Sequence, residues 1–184
     1  MGASRLTPQQ LAAWFSRRTP RPPGSYAATA PLETLTWLFI EEGAAERVAG
    51  DVAFVQSVLE TGWFRFTGNV PASSNNFAGI GAVGPVSARA HFPDPRTGVR
   101  AQIQHLRAYA DPTAATCSVP PLHYLCADPR FDLVLPKGRA PVWNQMGNGN
   151  WAADPGYGTR ILSLYAEALA FSGVAPAGVA VAVR

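Results

Sequence analysis

Charge is scarce in this sequence: only 15% of its 184 residues are Asp, Glu, Lys or Arg, against 47% that are hydrophobic. That balance excludes a disordered chain, which needs high charge and few apolar groups to stay open. There is no Lys/Arg block, and the formal net charge is only +3. A dense basic stripe for nucleic-acid phosphates is thereby excluded, while a mildly basic surface suits an anionic polymer. No apolar run reaches the ~20 residues needed to span a bilayer. Cysteine occurs only at Cys117 and Cys126, outside any C-x-x-C pattern, and three scattered histidines complete no zinc-ligand set. No metal and no cofactor are expected. The two cysteines form one local disulfide in an oxidising compartment, or remain thiols in a reducing one. Residues 1–30 are broken by Pro20, Pro22 and Pro23 and hold no apolar core of a secretory leader. Any export is therefore expected to use a route not visible in the sequence.

What is present fits one well-buried domain, with a body over 1–172 and a tail or linker stub over 173–184. Thr7-Pro8 predicts a helix over 7–17, with Thr as cap, Pro at the first helical position and Leu11, Trp14 and Phe15 inward. A second helix is expected from Pro31 to about Val48. Leu35, Leu38 and Phe39 face inward, and Glu41, Glu42, Glu46 and Arg47 form a solvated face. A third covers Gly50 to Phe64, with Asp51 as N-cap and Gly62 as C-cap. Val52, Val55, Leu59 and Trp63 recur there at helical spacing, and Phe54 and Val58 widen the apolar face.

From Thr67 to Pro95, Gly, Asn, Ser and Pro dominate and periodicity vanishes, which predicts a loop with a short hairpin between Gly81 and Phe92. A helix returns over 98–110, with Val99, Ile103, Leu106 and Ala110 inward and Arg100, Gln104 and Arg107 outward. His105 reads as a packed or surface residue. A loop-rich stretch follows, then a last helix over 157–171 with Ile161, Leu164, Tyr165, Ala168 and Leu169 inward.

Glu60 stands out chemically. In the third helix the only strongly polar side chains are Gln56 and Glu60, four residues apart and so on one face. The C-terminal end of a helix disfavours a negative charge, and Trp63, Phe64 and Phe66 would desolvate one. Both effects keep a carboxyl protonated to higher pH, as a general acid in glycoside hydrolysis requires. A solvated Glu at a helix end is the competing reading.

Three segments carry a resemblance. Phe54-Val55-Gln56-Ser57-Val58-Leu59-Glu60-Thr61-Gly62-Trp63, Asn75-Asn76-Phe77-Ala78-Gly79-Ile80 and Trp151-Ala152-Ala153-Asp154-Pro155-Gly156-Tyr157 occur in this order. Together they resemble the bacterial glucosaminidase family that cleaves peptidoglycan, also described as mannosyl-glycoprotein endo-beta-N-acetylglucosaminidase-like, over residues 31–171. The resemblance implies an α+β fold, mainly α and lysozyme-like, with a helical body and a small β lobe flanking a cleft. It implies cleavage of the β-1,4 bond from N-acetylglucosamine to N-acetylmuramic acid, with Glu60 as general acid. Gln56 would hold the acid or a sugar hydroxyl. Asn76 and nearby backbone amides would suit N-acetyl groups, Asn75 and Phe77 would bind substrate beside it, and Trp63, Trp151 and Tyr157 would offer faces to sugar rings.

Two departures stand against the family pattern. The stretch Val83–Phe92 holds no Asp or Glu where a second carboxylate often sits, and the nearest acid is Asp94. Trp151 replaces a common Tyr. Other readings are a muramidase or lytic transglycosylase on the same fold, or an inactive wall-binding or structural module. The expected partner is the peptidoglycan strand, met by a monomer outside the cell, at the wall, or as a phage-delivered lysin.

Overall fold

The computed structural model describes residues 1–20, 23–82, 89–117 and 126–175. These form five α-helices: α1 (Pro8–Arg17), α2 (Leu32–Glu46), α3 (Gly50–Glu60), α4 (Pro95–Ala110) and α5 (Tyr157–Phe171). A helix apolar all round belongs inside, and α3 is inside: every residue from Gly50 to Val58 is buried. The helices α2, α4 and α5 pack around it, and α1 lies against α2 and α5. Around α3 the rings of Phe15, Phe39, Phe54, Phe64 and Phe77 form one aromatic core. None of the five helices is long and apolar enough to cross a membrane.

Thr7 caps α1 as expected. Its hydroxyl accepts from Gln10 N while the Gln10 side chain accepts from Thr7 N, a reciprocal capping box. Asp51 does not cap α3; that position is Ala49. Its carboxylate is buried and ties three parts of the chain together. Oδ2 accepts from the backbone of Arg5 at 2.7 Å and Leu6 at 3.1 Å, and from the Tyr165 hydroxyl at 2.6 Å.

The acidic face expected on α2 divides. Glu41 and Arg47 are exposed, but Glu42 and Glu46 are fully buried against α4. Glu42 meets Arg96 at 2.6 Å and Arg100 at 3.1 Å, and Glu46 meets Arg107 at 3.0 Å. Gln104, expected outward, is buried as well. A carboxylate leaves water when a guanidinium replaces its hydration. The α4 helix also begins earlier than its apolar stripe, at Pro95, because Asp94 accepts from Thr97 N at 2.9 Å and caps it.

The helical body agrees with a lysozyme-like, mainly α fold; among the described residues there is no strand and hence no β lobe. Of the expected hairpin, residues 83–88 lie outside the described part. The stretch leading to it is a loop tied by two backbone bonds, Ala90 N to Ile80 O and Phe92 N to Ser74 O, rather than by a ladder. Cys117 and Cys126 are joined in a disulfide. The helix α5 ends at Phe171, and residues 176–184 of the expected tail lie outside the described part.

Candidate active site

Glu60 is the last residue of α3, where the helix leaves the core. Trp63 N donates to Val58 O at 2.7 Å and Gly62 N to Leu59 O at 3.3 Å. Gly62 has a φ of +58°, so the helix closes in a Schellman motif. Trp63, Phe64 and Phe66 then also take positive φ values of 67°, 52° and 52°. A bulky side chain pays about 1–2 kcal/mol for that conformation. Here it turns Phe64 back among Phe15, Phe54 and Phe77, where its burial offsets the strain.

A buried polar relay runs up to Glu60. Ser57 donates to Gln102 Oε1 at 2.8 Å, Gln102 Nε2 to Gln56 Oε1 at 2.8 Å, and Gln56 Nε2 to the Tyr157 hydroxyl at 2.9 Å. That hydroxyl in turn donates to Glu60 Oε1. The Trp151 indole Nε1 donates to the same oxygen at 3.2 Å. The other oxygen, Oε2, faces Gly79, where a Cβ would stand 3.5 Å from it. Gly79 has a φ of +63°, so a glycine both permits the turn and keeps this space clear. Burial pushes the Glu60 carboxyl above its ordinary pKa, while the bonds from Tyr157 and Trp151 pull the other way and do not cancel it. Among the described residues no cation pairs with Glu60.

A cavity of about 210 Å³ opens beside Gly79, lined among others by Gly81, His105, Tyr109, Arg130 and Trp151. His105 Nδ1 lies 2.7 Å from Oδ2 of the buried Asp128, and its ring meets that of Trp151 edge-on at 5.1 Å. A wider hollow of about 640 Å³ lies at the other side of the helix end, bounded by Leu59, Trp63, Arg18 and Leu164. Among the described residues no three His, Cys, Asp or Glu side chains cluster to hold a metal ion.

The residues singled out in the sequence separate into distinct roles. Glu60, Gln56, Trp151 and Tyr157 come together, but Gln56 reaches the acid only through Tyr157. Tyr157 is buried and presents its hydroxyl to Glu60. Trp151 uses its N–H as well as its ring. Asn75 and Asn76 are buried, with their amides spent on the loop. Asn75 Nδ2 donates to Phe92 O at 3.0 Å, and Asn76 bridges Ile80 N, Ile80 O and Ala90 O. Their side chains hold the loop that carries Gly79.

Phe77 is fully buried between Phe39, Phe64 and Phe66, and its ring belongs to the aromatic core. Trp63 packs on Trp14 and Phe15, with the Arg18 guanidinium 4.7 Å from its ring centroid. Its remaining surface lines the wider hollow. The residues that sequence reasoning passed over are Gln102, His105 as a cavity wall, Asp128 and Arg130. The signal for the first was an amide set beside the inward Ile103.

Residues 36–169 match the Glucosaminidase family model, described as mannosyl-glycoprotein endo-beta-N-acetylglucosaminidase. That span contains α3, α4, Glu60, Trp151 and Tyr157. A protein of Borreliella burgdorferi described as uncharacterized is 33% identical over 141 residues, which is 77% of this chain. The match spans 65% of that relative's own length, just under two thirds.

Proposed function

The chain belongs to the glucosaminidase family, and we propose that it is a peptidoglycan hydrolase cutting the β-1,4 bond from N-acetylglucosamine to N-acetylmuramic acid, with Glu60 as general acid. One observation carries this reading. Glu60 is a partly buried carboxyl that pairs with no cation among the described residues, with one oxygen held by Tyr157 and Trp151 and the other facing Gly79, which lines the cavity.

The chemistry follows from that asymmetry. Oε2 delivers its proton to the glycosidic oxygen as the bond to C1 breaks and positive charge spreads over C1 and the ring oxygen. The carboxyl becomes an anion in this step. Tyr157 and Trp151 already point donors at Oε1, so their bonds strengthen as the negative charge develops. Gln56 and Gln102 hold the Tyr157 hydroxyl on target. Water completes the reaction and restores the proton. Asp94 is committed to capping α4, so the substrate's own N-acetyl group takes the place of a second carboxylate. The enzyme acts as a monomer at the wall, outside the cytoplasm.

Zymography on wall-impregnated gels tests this reading. The native chain clears the gel, and Glu60→Gln loses on the order of 10²-fold or more in rate. Released reducing N-acetylglucosamine supports the proposed bond. Reducing or anhydro-muramic ends would assign the other glycosidic bond, and a folded native chain that clears nothing would be a wall-binding module.

A further inference from the structure

The charges around the cavity beside Glu60 do not balance. Arg130 lines it, and Arg139 is held nearby by bonds to Asn150 Oδ1 at 2.7 Å and Leu135 O at 3.2 Å. Both guanidinium groups stand near enough to the Tyr109 hydroxyl to favour its ionised form, against the burial that disfavours it. Arg18, Arg96, Arg100, Arg107 and Arg160 each face a carboxylate. Among the described residues neither Arg130 nor Arg139 does. Besides Glu60, the acid that meets this wall among the described residues is Asp128, and it is engaged: Oδ2 holds His105 Nδ1, and Oδ1 accepts from Arg130 N at 2.9 Å. Asp128 therefore fixes both the imidazole and the backbone that carries Arg130. Arg130 and Arg139 thus bring two guanidinium groups to a wall whose carboxylate Asp128 is already engaged.

Size narrows what the cavity accepts. Pockets for whole small molecules run to about 300–1,000 Å³, and this one holds about 210 Å³. It has room for a substituent or a chain end, not for a disaccharide. Neutral hydroxyl and acetamido groups have no need of surplus guanidinium charge; a carboxylate does, and guanidinium is its natural partner. On a wall strand the carboxylates nearest the glycan belong to the short peptide amide-linked to the lactyl group of N-acetylmuramic acid.

We propose that the cavity walled by Gly79, His105, Arg130 and Trp151 is an anion-reading subsite that takes a carboxylate of this stem peptide. It rests on the wall-hydrolase reading and adds a preference to it: strands that carry stems are cut faster than bare glycan.

The test compares two substrates, intact wall and the same wall stripped of stem peptides by an amidase with the lactyl carboxylates so freed then capped as amides, each followed by release of reducing ends. The quantity read is the ratio of kcat/KM on the two. A misfolded fraction lowers both rates equally and cancels in the ratio. The native chain favours stem-bearing strands, Arg130→Gln lowers the ratio about tenfold, and Arg130→Lys, which keeps the charge, loses less. Arg139→Gln lowers the ratio by a smaller factor and serves where an Arg130 variant does not fold. A native ratio of one or below, or ratios unmoved by both glutamine variants, overturns the subsite while hydrolysis itself stands. A native chain that cuts neither substrate overturns the hydrolase reading, and the subsite falls with it.

Discussion

The hydroxyl of Tyr157, first residue of α5, donates to the carboxyl of Glu60, last residue of α3, across 97 positions of sequence. Two opposed effects meet at this bond. Burial favours the neutral acid; the donors Tyr157 and Trp151 favour the anion; burial prevails and the carboxyl holds its proton above the ordinary range. Tyr157→Phe removes one donor, so the Glu60 pKa rises further and the alkaline limb of kcat/KM moves to higher pH. The maximal rate nonetheless falls, by about 10-fold or more, because a hydrogen bond to a charged group is worth about 1.5–3 kcal/mol. A pH–rate profile of the variant checks both directions. A limb displaced toward lower pH would show that Tyr157 does not stabilise the ionised acid.

Stability should carry the same signature. In the unfolded chain the Glu60 carboxyl ionises near its model value of 4.5, and in the folded protein it ionises at higher pH. Between those values the folded state binds more protons than the unfolded one. This stabilising contribution is complete below 4.5 and is lost as pH rises through the folded pKa. Glu60→Gln has no such proton to lose. Relative to the native protein it should gain in melting temperature between pH 4 and pH 8. Melting curves at the two pH values decide it, and a native protein that gains on the variant as pH rises contradicts the sign.

The helices were readable because apolar spacing and caps are local signals. Thr7 with Gln10, and Gly62 with the run before it, carry their structural meaning within a few residues. Glu42 and Glu46 were misread for the opposite reason. An acid off the apolar stripe has the same spacing whether it meets water or an arginine, and Arg96, Arg100 and Arg107 sit 50 or more residues further on. The site was half readable. Glu60 announced itself by being polar in an apolar helix, whereas Asn75, Asn76 and Phe77 belong to residue types that serve loop building and ligand binding alike. The bonds that their amides make and the burial of Phe77 belong to the fold, which residue type alone does not give. His105 drew no weight because its partner Asp128 lies 23 residues away in a loop.

The buried ion pairs between α2 and α4 make a quantitative expectation. Glu46 is fully buried, accepting from Arg107 at 3.0 Å and Gln104 at 3.4 Å. Glu46→Ala strands the Arg107 guanidinium, whose side chain is only 11% exposed. Removing one partner of a buried pair costs about 3–5 kcal/mol. The lower end applies here because Arg107 retains Asp111 at 3.5 Å. Urea denaturation measures the loss, and turnover of the remaining folded enzyme should be near native, since neither residue reaches the site. A loss below about 0.5 kcal/mol, as for surface substitutions, would return Glu46 to the solvated face.

Gly79 links backbone conformation to catalysis most directly. At its φ of +63° an alanine is strained, costing about 1–2 kcal/mol. The added methyl would stand 3.5 Å from Glu60 Oε2 and 3.7 Å from the Ala82 Cβ, both ordinary contacts, so Gly79→Ala should still fold. That methyl fills the space in front of the oxygen that must come within about 2.6–3.2 Å of the glycosidic oxygen. Activity should therefore fall far more than stability, on the order of 10²-fold, the scale of a misplaced reacting geometry. Gly173→Ala is the matched control, with a φ of +66° and nothing within 4 Å of the added carbon. It bears the same backbone strain and should keep its rate. Near-native hydrolysis by Gly79→Ala would mean that the substrate reaches Glu60 from another side.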